Sequence, residues 1–171
     1  KFNITMTDDQ LKVYEDIYNG ENVLLIAPTG TGKTEASVIP VIYRISEKRP
    51  EKIHALFITP MRALNRDLYE RIEKYSKEMN IDLNIRHGDS SESERKEITE
   101  NPPDLLITTP ETLQIMLSGK KIKKHLKYVR TVIVDEIHEL VGDERGWQLA
   151  VALERLEMLS GKIQRIGLSA T

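Results

Sequence analysis

The sequence predicts one α/β domain in which helices lie on both faces of a mainly parallel sheet. Short apolar segments typical of buried strands alternate along the chain with segments whose apolar residues recur at helical spacing. The chain has 171 residues, enough for one domain with a substantial core. A glycine-rich loop also joins the first apolar strand to a helix, as in a parallel α/β sheet. These observations together predict a three-layer architecture.

Each element has its own signal in the sequence. Thr7 and Gln10 form a capping box before a helix that runs to about Tyr18 and closes at Asn19-Gly20. Strands are predicted at 22–26, 53–58, 83–86, 104–108, 131–134 and 165–168, and further helices at 33–46, 60–79, 92–99, 110–118 and 149–160. Pro40 predicts a bend in the second helix, because proline removes one main-chain donor.

The segment 27–34, Ala-Pro-Thr-Gly-Thr-Gly-Lys-Thr, has the pattern of a phosphate-binding loop. Two glycines allow a sharp turn, so that main-chain N–H groups can point at phosphate oxygens beside a helix N-terminus. Lys33 adds a cation for the β- and γ-phosphates, and the Thr34 hydroxyl can bind Mg²⁺. Ala27 stands where the usual pattern has glycine. The predicted phosphate-binding residues are Pro28, Thr29, Gly30, Thr31, Gly32, Lys33 and Thr34.

An acidic pair ends the apolar strand 131–134. Asp135 and Glu136 would be costly to hold there without a cation, and Mg²⁺ bound to a nucleotide is the obvious one. Because the carboxyl ends of parallel strands share one edge, this pair is expected beside the phosphate-binding loop. Asp135 is therefore predicted to bind the metal, directly or through water. Glu136 is predicted to position or deprotonate the water that attacks the γ-phosphate.

Composition excludes several other functions. The 25 Lys and Arg residues against 27 Asp and Glu give a net charge of -2, so nucleic-acid binding would require local basic surface. The basic run 120–130 is interpreted as a solvated face. The lack of cysteine excludes disulfides and thiolate catalysis. No apolar run has the length of a membrane span, so we expect a soluble, cytoplasmic protein with no membrane partner.

These segments together resemble the first RecA-like domain of the superfamily 2 helicases, which are P-loop NTPases. The loop 27–34 is similar to motif I, 59–64 to motif Ia, 108–112 to motif Ib, 135–138 to a DExH motif II, and 169–171 to motif III. Residues 87–95 and 135–156 resemble the large helicase-related (Lhr) group, close to the Ski-type helicases. The resemblance covers nearly all of 1–171. It implies a RecA-like domain truncated after motif III, with ATP and Mg²⁺ as cofactors.

The resemblance also implies roles for single residues. The family grips the backbone of single-stranded or partly duplex nucleic acid, DNA or RNA, at positions that match Thr59, Pro60, Arg62, His87, Gly88, Thr109, Pro110 and Glu111. The catalytic set would be Lys33, Asp135, Glu136 and His138, with Ser169 and Thr171 coupling the γ-phosphate to the strand-binding side. Gln10 matches the adenine-reading glutamine, while a helix cap remains its alternative. A structural histidine remains the alternative for His138, and a simple turn for Ser169.

In this family a second RecA-like domain closes over the nucleotide and supplies arginine fingers, and its motifs do not occur in this chain. The main interpretation is the ATP-binding half of a nucleic-acid helicase or translocase, which alone hydrolyses ATP very slowly. Three alternatives stay open at this point: a duplex-DNA translocase, a nucleotide or small-molecule kinase, and a nucleotide-dependent switch.

Overall fold

The structure is a computed structural model that describes residues 8–64 and 66–171. The strands are β1 (Val23–Ile26), β2 (Ala55–Ile58), β3 (Leu83–Arg86), β4 (Leu105–Thr108), β5 (Thr131–Val134) and β6 (Gln164–Ser169). The helices are α1 (Asp8–Tyr18), α2 (Lys33–Lys48), α3 (Arg66–Glu78), α4 (Glu92–Glu100), α5 (Pro110–Ser118), α6 (Lys123–Leu126), α7 (Ile137–Leu140) and α8 (Glu144–Ser160). Within these described ranges, no helix is long and apolar enough to cross a bilayer.

The described strands form one sheet in the order β1-β6-β5-β2-β4-β3, and every neighbouring pair is parallel. The last strand therefore lies between the first and the fifth, with Leu168 opposite Leu25 and Ile166 opposite Ile133. Because all strands point the same way, their carboxyl ends meet at one edge. This arrangement confirms the predicted parallel α/β sheet.

Two apolar clusters cover the two faces of the sheet. Leu56 and Val132 belong to the cluster under α4 to α8, whereas Phe57 and Ile133 belong to the cluster under α1 to α3. All four side chains are fully buried. Successive strand residues thus point to opposite cores, which explains why the central strands are continuous apolar runs. The three-layer prediction is confirmed.

Several helix ends follow the predicted chemistry. Ser91 and Glu94 form a reciprocal capping box at the start of α4. The Thr109 hydroxyl accepts the Thr112 N–H (3.3 Å) at the start of α5. Gly20 closes α1 with φ 90°. The Thr7 partner of the other predicted capping box lies outside the described residues.

Other local predictions were wrong. The segment after Thr59-Pro60 does not enter a helix directly, because Met61–Ala63 forms a 3₁₀ turn and α3 begins only at Arg66. Leu64, with φ -80° and ψ 86°, breaks the helical path between them. The single-turn helices α6 and α7 were not predicted, because four residues are too short to show a period. The predicted bend at Pro40 stays a prediction, and α2 continues through that residue.

A buried polar network fixes α1 to the sheet. The Arg44 guanidinium donates to the Ile17 carbonyl (3.0 Å), to the Thr131 hydroxyl (2.6 Å) and to the Gln164 side-chain oxygen (2.7 Å). The Gln164 amide in turn donates to the Ile17 carbonyl (2.9 Å). The network joins α1, α2, β5 and β6 at the amino end of the sheet, and so holds α1 in place beside the phosphate-binding loop.

His54, just before β2, gives the fold a specific response to pH. Its pKa is lowered from 6.5 to about 4, chiefly by burial and also by the charges of Arg44, Arg130 and Lys48, against the opposing effect of Asp104. The unfolded chain binds this proton near pH 6.5, but the folded chain resists it until about pH 4. We therefore expect the free energy of unfolding to fall as the pH drops through this window, by at most about 3 kcal/mol.

Chemical denaturation of the wild type and of His54→Gln, at about pH 7 and about pH 5, measures this contribution. The glutamine variant should lose less stability than the wild type on acidification, because it lacks the titrating ring. Equal losses in the two proteins would contradict the role of His54.

Candidate nucleotide site and nucleic-acid interface

Main-chain hydrogen bonds beyond the strand ends tie the predicted motifs together at the carboxyl edge. The Ala27 N–H donates to the Ser169 carbonyl (3.1 Å), and the Thr59 N–H donates to the Thr108 carbonyl (3.0 Å). The Asp135 N–H donates to the last residue of β2 (2.8 Å). The five segments that the sequence predicts at one edge therefore lie there side by side.

The phosphate-binding loop has the turn that its glycines predict. Gly30 and Gly32 adopt left-handed conformations with φ 80° and 79°, and α2 begins at Lys33. A Cβ on Gly30 would meet nothing within 4 Å, so the loop leaves open space at this point. The Lys33 ammonium donates to the carbonyls of Ala27 and Pro28, the latter at 2.8 Å. Its charge is thus held inside the loop.

A cavity of about 520 Å³ joins the loop to the acidic pair. Its lining residues come from the loop, from α2 and α3, and from the end of β5: Thr29, Gly30, Gly32, Lys33, Thr34, Glu35, Ala63, Asp67, Leu68, Arg71, Asp135 and Glu136. The cavity thus contains the cation, the hydroxyl and both carboxylates that the sequence predicts for a nucleotide site.

The acidic pair is held in an unusual conformation. Glu136 has φ 52° and ψ 43°, a left-handed conformation that costs a non-glycine residue roughly 1 kcal/mol or more. Its N–H donates to the Asp135 Oδ1 (2.9 Å). Burial raises the pKa of Asp135, and the neighbouring Glu136 carboxylate adds to the rise, while the Glu136 N–H and the charges of Lys33 and Arg71 oppose it. The Asp135 carboxylate is therefore only partly compensated.

His138 connects the acidic pair to the end of β6. Its Nδ1 lies 3.3 Å from the Glu136 Oε2, 3.3 Å from the Ser169 Oγ and 3.4 Å from the Ala170 N–H. The Ser169 hydroxyl also donates to the Thr171 carbonyl (2.5 Å). One nitrogen cannot accept the Ala170 N–H and donate to Glu136 at once, so the ring has two alternative bonding states.

Gln10 lies beside the loop, at a second cavity of about 260 Å³ lined also by Val13, Leu25, Ala27 and Ala36. Its side-chain amide donates to the Thr31 carbonyl (3.2 Å). The Gln10 amide therefore contacts the phosphate-binding loop. Reading of adenine stays a prediction, and so does the helix cap, whose Thr7 partner lies outside the described residues.

One charged pair in the main cavity was not predicted from the sequence. Arg71 on α3 forms a bidentate ion pair with Glu35, with three nitrogen-to-oxygen distances of 2.8 to 3.0 Å. Glu35 directly follows the loop, and Arg71 lies on a helix of predominantly charged residues. No local pattern marks such a pair, because it forms only when α2 and α3 pack side by side.

The predicted strand-binding residues of motif Ia lie at the same edge. Thr59 and Pro60 are buried, and the Thr59 Oγ1 has no hydrogen-bond partner within the described residues. The same holds for the Oγ1 of Thr108, the first residue of motif Ib. Arg62 lies in the 3₁₀ turn, and its side chain lies outside the described part of the structure.

The motif Ib residues are engaged in local contacts. The buried Thr109 hydroxyl caps α5, of which Pro110 is the first residue. The Glu111 carboxylate accepts from the Arg145 guanidinium (2.7 Å). Burial raises the pKa of Glu111, but its own N–H and Arg145 outweigh burial and hold the pKa below its usual value.

The loop after β3 is also fixed from within. The Asp89 N–H donates to the His87 Nδ1 (3.2 Å), and the Arg95 guanidinium donates to the Gly88 carbonyl (2.6 Å). Arg95 lies on α4, so this helix holds the loop in place. The predicted strand-binding loop is thus a preformed turn.

The chain matches the family described as DEAD/DEAH box helicase over residues 7–171. It is 40% identical to ATP-dependent helicase Lhr-Core protein 2 of Thermococcus barophilus, over 98% of this chain and 21% of the relative. It is also 40% identical to the Lhr helicase/uracil glycosylase of Escherichia coli, over 88% of this chain and 11% of the relative. The chain therefore spans about a fifth or less of these relatives.

A solved structure of the Mycobacterium smegmatis helicase Lhr, bound to ssDNA and AMP-PNP, has a TM-score of 0.86 to this chain at 38% identity. The match covers 98% of this chain and 23% of that one. The DEAD-box helicase Mss116, bound to ssRNA and UDP-BeF, shares the fold with a TM-score of 0.82 at 21% identity. These similarities and the ordered motifs agree, and the chain belongs to the DEAD/DEAH box helicase family, with Lhr-like helicases among its relatives.

Proposed function

We propose that this domain binds Mg-ATP and forms the ATP-binding half of a helicase or translocase that moves along nucleic acid. The observation that carries the proposal is the cavity that contains Lys33, Thr34, Asp135 and Glu136. These side chains suit ATP binding, and relatives of the chain are named ATP-dependent helicases. A related Lhr structure contains AMP-PNP. A kinase shares the loop, but the family assignment favours the helicase.

The residues present fit ATP and Mg²⁺. Gly30 leaves open space within the loop, and Lys33 brings a cation to it. The Thr34 hydroxyl and the partly compensated Asp135 carboxylate are the hard oxygen donors that Mg²⁺ prefers. When bound, the metal would offset negative charge on the phosphates. Lys33 would hold the β- and γ-phosphates, and the Glu136 carboxylate would orient a water molecule and take its proton.

His138 links the acidic pair of the nucleotide site to the end of β6 through hydrogen bonds, and so connects the site to the strand-binding side. In one bonding state its Nδ1 donates to Glu136, and in the other it accepts from the Ala170 N–H, while the Ser169 hydroxyl donates to the Thr171 carbonyl. A change in the charge near Glu136 would therefore favour one state over the other and move the end of β6. We expect Ser169 and Thr171, at the end of β6, to respond in this way to the presence of the γ-phosphate.

The partner proposed at the other end of the edge is single-stranded or partly duplex nucleic acid, as in the titles of the related structures. It would run over 59–62, 87–88 and 109–111, where helix starts and main-chain N–H groups suit a phosphate backbone. A second RecA-like domain would supply arginine fingers worth about 10³- to 10⁵-fold in rate. We therefore expect the isolated domain to bind Mg-ATP but to hydrolyse it slowly.

Titration of a fluorescent ATP analogue with Mg²⁺ tests the nucleotide site. Lys33→Ala should weaken binding by roughly 100-fold, because it removes charged hydrogen bonds to two phosphates. Asp135→Ala should weaken binding in the presence of Mg²⁺ but much less in EDTA. Lys12→Ala, an exposed lysine on α1, is the matched control. Unchanged affinity in Lys33→Ala, with native circular dichroism, would refute the nucleotide site.

A further inference from the structure

A third cavity, away from the nucleotide site, has more cationic than acidic lining residues. It has a volume of about 470 Å³ and lies between β3, α4 and the α5–α6 connection. Its cationic lining residues are Arg86, Arg95, Lys96, Lys120 and Lys121, against two carboxylates, those of Glu92 and Glu100. The whole chain has a net charge of -2, so this concentration of positive charge is local. We call it the basic pocket.

Arg86 lines the pocket with a guanidinium group whose hydrogen bonds are incomplete. Its Nη1 is buried and has no hydrogen-bond partner within the described residues. Burial lowers the pKa of Arg86, and the charge of Arg95 lowers it further. A half-buried guanidinium with one buried, unpaired nitrogen beside a second cation is destabilised unless an anion lies between them. A bound anion in the pocket would supply the missing acceptor.

The neighbouring contacts make the pocket a fixed structure that continues the strand-binding edge. Arg95 donates to the Gly88 carbonyl (2.6 Å), so the pocket adjoins the loop that we assign to nucleic acid. On its other side, the His125 Nε2 lies 3.1 Å from the Thr99 carbonyl and ties α6 to α4. The Lys96 ammonium lies 3.8 Å from the Glu100 carboxylate, a long contact for an ion pair.

We propose that the basic pocket binds a backbone phosphate of the nucleic-acid strand after that strand passes the His87–Gly88 loop. The inference rests on the proposed function, which supplies the strand. The geometry favours phosphate because two guanidinium groups and three lysines line one cavity that has only two carboxylates among its lining residues. The proposal also gives Lys120 and Lys121 a role in strand binding. The rest of the basic run 120–130 keeps its interpretation as a solvated face.

Two double variants of this run form a matched pair. Lys120→Ala/Lys121→Ala removes two exposed lysines that line the pocket, and Lys123→Ala/Lys124→Ala removes two exposed lysines that do not. Both change the net charge equally. Fluorescence anisotropy with labelled oligothymidylate should show roughly fivefold weaker binding for the first variant only, with a salt slope smaller by about 0.7 per lost phosphate contact.

Arg86→Met supplies a second, independent test. It should weaken oligothymidylate binding to a similar extent while the melting temperature stays the same or rises, because the variant removes a half-buried guanidinium whose Nη1 has no partner among the described residues. A purely structural arginine would instead lower the melting temperature and leave the salt slope unchanged, and that result would overturn the proposal.

The remaining outcomes separate the two hypotheses. If the wild type binds oligothymidylate and both lysine variants bind equally well or equally poorly, the basic pocket is refuted and the proposed function stands. If the wild type does not bind it at all, the strand-binding part of the proposed function fails, and the pocket fails with it. If inorganic phosphate stabilises the wild type but not Arg86→Met, while strand affinity is unchanged, the pocket binds small phosphates and the strand assignment is wrong.

Discussion

Replacing Glu136 by glutamine is expected to lower the rate of ATP hydrolysis roughly 10²- to 10⁴-fold while nucleotide affinity changes by no more than about twofold. Glutamine keeps the shape of the side chain and its main-chain N–H, which donates to Asp135. It loses the carboxylate that would take a proton from the attacking water. The expected result is therefore a defect in the chemical step and not in binding.

The measurement needs two assays. Affinity is measured on this chain with a fluorescent ATP analogue, and hydrolysis is measured in a protein extended through the second RecA-like domain that we propose. Glu51→Gln is the control, since it removes one exposed carboxylate from the opposite edge of the sheet. A Glu136→Gln protein that hydrolyses ATP at the wild-type rate would remove Glu136 from the mechanism.

Replacing Gly146 by alanine is expected to lower the free energy of unfolding by about 3 kcal/mol. A Cβ at this position would lie 2.0 Å from the Leu140 carbonyl oxygen and 3.0 Å from its carbonyl carbon. These are main-chain atoms that cannot rotate away, so the start of α8 or the end of α7 must shift. Because α7 also carries His138, the shift would reach the acidic pair.

Urea denaturation compares Gly146→Ala with a glycine variant that has space. Gly88→Ala is suitable, because a Cβ there would meet nothing within 4 Å. We expect the Gly88 variant to stay within about 0.5 kcal/mol of the wild type. Matching unfolding midpoints for the two variants would show that the α7–α8 junction is more adaptable than the structure indicates.

The sequence predicted the parts of the fold that depend on local pattern. Strand Thr131–Val134 is an uninterrupted apolar run, and Ser91 and Glu94 have the spacing of a capping box, so each could be recognised within a few residues. The 3₁₀ turn at Met61–Ala63 could not, since Leu64 has an apolar side chain that suits a helix but a backbone that does not. Single helical turns also lack a period.

The residues of the site can also be separated into those that the sequence predicted and those that it did not. The order of strands and helices places Lys33 and Asp135 at one edge, so their meeting followed from topology. The Glu35–Arg71 ion pair depends instead on the packing of α2 against α3. The burial of the Arg86 Nη1 depends likewise on the tertiary position of that side chain. Long-range side-chain contacts of this kind leave no trace in local composition.

The position of β6 determines when this site can exist. β6 is the last of the six described strands in chain order, yet it lies between β1 and β5 and hydrogen-bonds to both. On the ribosome, β1 and its phosphate-binding loop therefore have no neighbouring strand until residues 164–169 have emerged. A nascent chain that stops short of Gln164 should retain the loop sequence but lack the sheet that aligns it with Asp135. Nucleotide binding during synthesis would consequently begin abruptly, once β6 has emerged, rather than grow with chain length.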